Sequence, residues 1–210
     1  GLSLGEYSAA TASGALSFAD TVRLVERRGF FMQEAALLKK GAMAAIIGLD
    51  AAVIKKICDE CQAEVANFNA PDQTVITGEA DKVEAACARM TEAGAKRVVP
   101  LSVSGAFHSS LMKPAADRFI SVLEQAYFIN AMIPIIGNVA ARPCVMPEEI
   151  QNELAQQITS SVQWVKTVEF MAAQGVTRFI EIGPGKVLKG LIRKINKDLT
   201  VDNVEKVEDL

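Results

Sequence analysis

The sequence predicts an α/β fold, on three observations. Helical and strand periodicities alternate from the first residues to the last. Of the 210 residues, 50% are hydrophobic and 22% charged, which suits a soluble chain able to bury a sizeable core. Between residues 41 and 103 the signals run β-α-β-β-α-β, the ferredoxin-like order. That compact unit interrupts a discontinuous larger α/β part made of residues 1–40 and 104–210.

Each element has a local cause. A short helix over 6–12 ends near Gly14, and Ser17, with Asp20 at the third helical position, reads as the N-cap of a second helix. That helix carries Val22, Leu24, Val25 and Phe31 to about residue 36, and Lys39-Lys-Gly41 breaks it. The inserted unit follows as a strand over 42–49, a helix over 51–62, a strand over 64–69, a turn at Pro71-Asp72, a strand over 73–77, a helix over 81–93 and a strand over 96–103. Next come a helix over 111–127 with Pro114 in its first turn, a strand over 133–139, and a helix over 147–157 opened by Pro147, Glu148 and Glu149. An amphipathic helix over 162–174, a strand over 177–182 and a helix over 185–196 complete the larger part. The tail from residue 201, with Asp202, Glu205, Glu208 and Asp209, reads as a frayed acidic end.

Several function classes are disfavoured. A formal net charge of −3 gives no basic field, so no nucleic-acid partner is expected. No apolar run approaches the roughly 20 residues of a membrane helix, and no export signal is visible, so the expected compartment is the cytoplasm. Cys58 and Cys61 form a C-x-x-C, but no second pair follows and His108 is the only histidine. The pair lies in a helical run where cysteine serves as a small apolar residue, so neither a metal nor a cofactor is expected.

Three sites carry candidate chemistry. Gly1-Leu-Ser-Leu-Gly5 is a G-x-S-x-G, the pattern of a serine at a sharp turn whose following helix aims the Leu4 N–H at a developing oxyanion. It fits equally a glycine-rich turn feeding a helix. His108, in the small-residue loop Ser104-Gly-Ala-Phe-His-Ser-Ser110, is the one general base a serine mechanism could use, and equally a structural histidine. Arg28 is either a solvated surface charge or a fork that grips a carboxylate.

Taken together these segments resemble the malonyl/acyl transferase family, and within it the malonyl-CoA:acyl-carrier-protein transacylases of fatty acid synthesis. The matching residues are 1–8 around Ser3, Arg28 to Ala35, 41–48, 67–78, Gly-Ala-Phe-His-Ser-x-Leu-Met at 105–112, Val-Gln-Trp at 162–164, and Glu-Ile-Gly-Pro-Gly-Lys-Val-Leu at 181–188. They occur in the family's order over nearly the whole chain.

The resemblance implies a hydrolase-like larger subdomain on a parallel sheet. It also implies a mechanism. Ser3 would attack the thioester of malonyl-CoA, His108 would take the serine proton and return it to the leaving thiolate, and an acyl-carrier-protein thiol would then take the malonyl group, in ping-pong order. The backbone carbonyl of Gln157 would orient His108 in place of a triad aspartate, and Leu4 would supply an oxyanion N–H. Arg28 would pair with the malonyl carboxylate, and Phe107 would fill the space of a methyl branch, unless it only packs its loop. Partners would be malonyl-CoA and acyl carrier protein, with no membrane and no nucleic acid, and the enzyme a monomer. Lys113, Lys186, Lys189, Arg193 and Lys194 are candidates for carrier docking.

Two departures stand out. Leu2 occupies a position where the family usually has histidine. The family also carries an upstream Gly-Gln-Gly segment with a second oxyanion N–H, and a strand feeding the elbow, which are not in this sequence. The expectation is therefore a chain truncated at its N-terminus, and inactive or poorly folded alone, since losing one oxyanion donor costs about 10²–10³ in rate. Rival readings are a serine hydrolase or thioesterase, a polyketide-synthase acyltransferase domain, and a non-catalytic carrier-docking module.

Overall fold

Residues 1–209 are described in the computed structural model. Helix α1 (Leu4–Ala12) starts directly after the first serine, and α2 (Phe18–Leu38) is opened by Ser17, whose hydroxyl accepts the Asp20 N–H at 3.0 Å. Their facing residues Tyr7, Ala10, Leu24, Phe31 and Met32 are buried in one cluster.

The next six elements are β1 (Gly41–Ile47), α3 (Ala51–Cys61), β2 (Glu64–Ala70), β3 (Gln73–Glu79), α4 (Ala80–Glu92) and β4 (Arg97–Pro100). The four strands pair antiparallel in the order β2-β3-β1-β4, with Ala44 opposite Ile76 and Ala45 opposite Val99. Alternation assigns the two faces. Ala44, Ile46 and Ile76 meet Ile54, Ile57, Val83 and Met90 from α3 and α4, with Cys58 1% exposed among them. On the other face, Met43, Ala45, Ala66 and Val75 receive Leu101 and Phe107. Gly41 makes that approach possible, since a Cβ there would lie 2.6 Å from Ala106. Strand β4 ends at Pro100, short of the expected 103: Leu101 N–H still reaches the Met43 carbonyl at 2.9 Å, but Val103 N–H turns back to the Leu101 carbonyl and leaves the ladder.

A 3₁₀ turn, Ser110–Met112, precedes α5 (Lys113–Gln125), with Pro114 in the first turn of the helix. Then follow β5 (Ile135–Ile136), β6 (Pro143–Cys144), α6 (Pro147–Gln157), α7 (Trp164–Ala173), β7 (Arg178–Ile182), α8 (Val187–Ile195) and β8 (Thr200–Val204). Two expectations are corrected. The strand predicted over 133–139 shrinks to Ile135–Ile136, because carboxylates take the next ladder donors: Asn138 N–H goes to Glu6, and Val139 and Ala140 N–H go to Glu153. The tail is not frayed at its start. Thr200–Val204 lies parallel to β7, with Val201 buried against Trp164, Val168, Leu191 and Ile192. β7 and β8 are the only parallel strand pair among the described residues.

Residues 161–163 join β2 to the segment around Asn138. Phe68 N–H donates to the Val162 carbonyl at 2.9 Å, and Val162 N–H returns to Ala66 at 2.8 Å, so this segment lies along the outer edge of β2. On its other side Gln163 N–H donates to the Asn138 carbonyl at 2.7 Å. No helix among the described residues is long and apolar enough to cross a membrane.

Candidate functional site

Ser3 sits at the turn into α1 with φ 49° and ψ −107°, a conformation that costs a non-glycine residue about 1–3 kcal/mol. The turn closes tightly: a Cβ on Gly1 would stand 2.0 Å from the Gly5 carbonyl oxygen. The Ser3 N–H donates to Asn138 Oδ1 at 2.6 Å, while the Ser3 carbonyl accepts the Glu6 N–H at 3.0 Å. The Leu4 N–H has no acceptor among the described residues and lies at the positive end of α1. It is a donor free to meet negative charge developing beside Ser3.

His108 also has a positive φ, 56°, and its loop is pinned on both sides. Ser109 Oγ donates to the Ala106 carbonyl at 2.6 Å, and the Ser110 N–H and hydroxyl reach the Glu64 carboxylate at 3.0 and 2.6 Å. The imidazole is 5% exposed. Its Nε2 lies 2.8 Å from Ser3 Oγ and its Nδ1 2.8 Å from the Gln157 carbonyl. A carbonyl can only accept, so Nδ1 carries the proton and Nε2 offers a lone pair to the serine hydroxyl. Burial pushes the histidine pKa down to about 4. The Arg28 charge acts in the same direction, and the Gln157 carbonyl opposes both. The ring is therefore neutral and proton-accepting at neutral pH.

Arg28, on α2, is 7% exposed, which sets aside the reading of it as a solvated surface charge. Its Nη2 donates to Ser3 Oγ at 3.1 Å and to Gln157 Oε1 at 3.0 Å, and its guanidinium carbon lies 5.5 Å from the Tyr7 ring centre. Its Nε is buried without a partner. Ser3, Arg28, Met32 and Phe107 line a cleft of about 190 Å³. A buried guanidinium remains charged, so this cleft presents a fixed cation beside a hydroxyl.

A second cleft, of about 710 Å³, is lined by His108 and by residues of β2, α3 and α7, with Phe68, Ser161, Gln163 and Lys166 among them. Ser3 thus lines the small cationic cleft and His108 the larger one. Leu2 packs beside the Trp164 cluster. Of the five basic residues considered for docking, Lys113, Lys186 and Lys194 form ion pairs with Asp117, Glu205 and Asp72.

Three features were not read from the sequence. Asn138 sits in a stretch that looked like a strand. Glu6 was read only as the start of a short helix and part of the matched stretch 1–8, yet it is 2% exposed. Gln157 was singled out only for its backbone, whereas its side chain touches Arg28, Ser3 and Glu6. Only the glutamate's place in the Ser3 motif could have drawn attention to it.

Residues 1–208 match the family model of the acyl transferase domain. The chain is 47% identical over 216 residues to a malonyl CoA-acyl carrier protein transacylase of Bacillus subtilis, covering 99% of this chain and 68% of that protein. It is 50% identical over 204 residues to the protein of that name from Escherichia coli K12, covering 95% and 66%. It thus spans about two thirds of the length of these relatives. An acyl carrier protein S-malonyltransferase from Vibrio cholerae superposes with a TM-score of 0.97 at 45% identity, over 100% of this chain and 70% of that one. A malonyl-transacylase solved with a type II polyketide acyl-carrier protein superposes at 0.96 and 43% identity, over 99% and 68%.

Proposed function

The chain belongs to the acyl transferase domain family, and on that premise we propose that it moves malonyl groups from malonyl-CoA to the phosphopantetheine thiol of an acyl carrier protein through an ester on Ser3. The observation that carries the reading is the meeting of two side chains on one oxygen: Ser3 Oγ lies 2.8 Å from His108 Nε2 and 3.1 Å from Arg28 Nη2. His108 takes the hydroxyl proton as Oγ attacks the thioester carbon. The carbonyl electron pair moves to oxygen, where the Leu4 N–H receives it. Collapse expels the CoA thiolate, which takes the proton from His108. The carrier thiol then gives its proton to the same nitrogen, attacks the ester, and Ser3 leaves with a proton restored.

Arg28 favours this over simple ester hydrolysis. A buried cation lining the cleft beside Ser3 suits an acyl group ending in a carboxylate, and a neutral acyl group would leave its charge unpaired. Phe107 narrows the same cleft where a branch would sit. The names of the relatives support both substrates, and the likeness to a transacylase solved in complex with its carrier supports the second. We place the nucleophile and base on a hydrolase-like larger subdomain (1–40 and 104–210), with residues 41–103 a ferredoxin-like insert and the larger cleft between them. We further propose a cytoplasmic monomer needing no cofactor. The test is mass spectrometry after incubation with malonyl-CoA. A malonyl adduct mapping to Ser3, absent from Ser3→Ala and discharged by holo carrier protein, is the expected result. Label on another residue would overturn the assignment.

A further inference from the structure

Behind the reacting groups lies a buried polar chain that the mechanism above does not use. Glu6 is 2% exposed, and its two oxygens accept from different partners: Oε1 from the Asn138 N–H at 3.0 Å, and Oε2 from Gln157 Nε2. Gln157 is fully buried. Its Nε2 also donates to the Ser3 carbonyl at 3.0 Å, and its Oε1 accepts from Arg28 Nη2 at 3.0 Å. A carboxamide has nearly the same shape in both orientations, so its neighbours choose the orientation. The Ser3 carbonyl can only accept, Glu6 Oε2 accepts from the same amide nitrogen, and a guanidinium can only donate. The amide must therefore turn its nitrogen to Ser3 and Glu6 and its oxygen to Arg28. Reversal would set N–H against N–H at the guanidinium and oxygen against oxygen at the Ser3 carbonyl.

We propose that Glu6 is a positioning residue for acyl selectivity, fixing the Gln157 amide so that its oxygen holds Arg28 at the angle from which it meets the substrate carboxylate. The proposal rests on the malonyl reading above. Glu6 touches neither substrate nor reacting atom. Its effect passes through one amide, so it bears on how well an acid-bearing acyl group is distinguished from a neutral one, more than on the Ser3–His108 pair. A merely structural buried acid would alter folding and leave that distinction alone.

Glu6→Gln tests this sharply. The substituted amide keeps the shape but has one acceptor for two donors, so it cannot satisfy the Asn138 N–H and the Gln157 amide together. Gln157→Met and the double variant complete a cycle in the full chain. Ser3 acylation is followed with malonyl-CoA and with acetyl-CoA. The expected result is a fall of about tenfold in the malonyl:acetyl ratio for Glu6→Gln, with the double variant no lower than Gln157→Met alone. An unchanged ratio, or independent additive losses, overturns the proposal. Gln157→Met must lower the ratio too, and its failure to do so is decisive even where Glu6→Gln unfolds. If the unsubstituted chain takes no malonyl group, the functional reading itself fails. The positioning claim is then judged without turnover, from the ¹⁵N signals of the Arg28 guanidinium. These must shift alike in Glu6→Gln and Gln157→Met, and unmoved signals refute it.

Discussion

Replacing Arg28 by methionine keeps the aliphatic stem of the side chain and removes its charge, which isolates the role proposed for the guanidinium. At 7% exposure the group is screened little by solvent, and its Nη2 is already committed to Ser3 Oγ and Gln157 Oε1. A substrate carboxylate would therefore meet the guanidinium N–H groups that these two acceptors leave free. Two charge-assisted hydrogen bonds in such a site are worth about 3–5 kcal/mol together, which corresponds to roughly 10²–10⁴ in the rate of malonyl transfer. Acetyl transfer loses only the contact between Nη2 and the serine oxygen, so it should fall by about tenfold or less. Single-turnover acylation of Ser3 by each thioester, measured below saturation, reads both numbers directly. Equal losses for the two acyl groups would refute the idea that Arg28 reads the carboxylate.

The remaining predictions concern pH and pocket size. With the His108 pKa pushed down to about 4, acetyl transfer, which makes no demand on the Glu6–Gln157–Arg28 chain, should hold down to about that pH instead of failing near the ordinary 6.5, and a limb near 6.5 would contradict the buried neutral imidazole. The same depression means that the folded chain binds fewer protons than the unfolded one between about pH 4 and 6.5, so this group's contribution to stability grows as pH rises. Glu6 does the opposite: burial first, then the Glu153 charge, raise its pKa to about 7 against the hydrogen bonds from Gln157 and Asn138, and its contribution falls as pH rises from 4.5 to 7. The two slopes oppose one another, each amounting to about 3 kcal/mol over its range. Urea unfolding of Glu6→Gln should therefore become more stable with rising pH across that window relative to the unsubstituted chain, and parallel curves would disprove the linkage. Phe107→Ser enlarges the cleft beside Ser3 and Arg28, and should raise the methylmalonyl:malonyl ratio by about tenfold; no change would make Phe107 a packing residue only.

Local chemistry made the α/β alternation legible. Ser17 with Asp20 announced α2, Pro147 announced α6, and the alternation over 41–103 announced the antiparallel sheet. Reading failed where a distant side chain replaces a neighbouring strand. The apolar run near residue 135 has strand character, but Glu6 and Glu153 take the donors that a longer strand would use. The acidic tail misled in the other direction, since Val201 is enough to seat β8 in the Trp164 cluster despite the charges around it. At the site, Ser3, His108 and Arg28 were visible because their residue types are chemically conspicuous in their motifs. Asn138 and the Gln157 amide were not, because what distinguishes them is long-range contact, over 135 residues from Ser3 to Asn138.

Residues 161–163 also guard against a hazard that has nothing to do with catalysis. Strand β2 is an outer strand of its sheet, and an unpaired row of backbone groups there is a template for another chain. Val162 occupies part of that row. The same short segment follows the helix carrying Gln157, so a substitution that loosens it unseats the carbonyl behind His108 and uncovers a sticky margin in one step. Damage at this point should therefore show itself as precipitated protein before it shows itself as a soluble but slow enzyme.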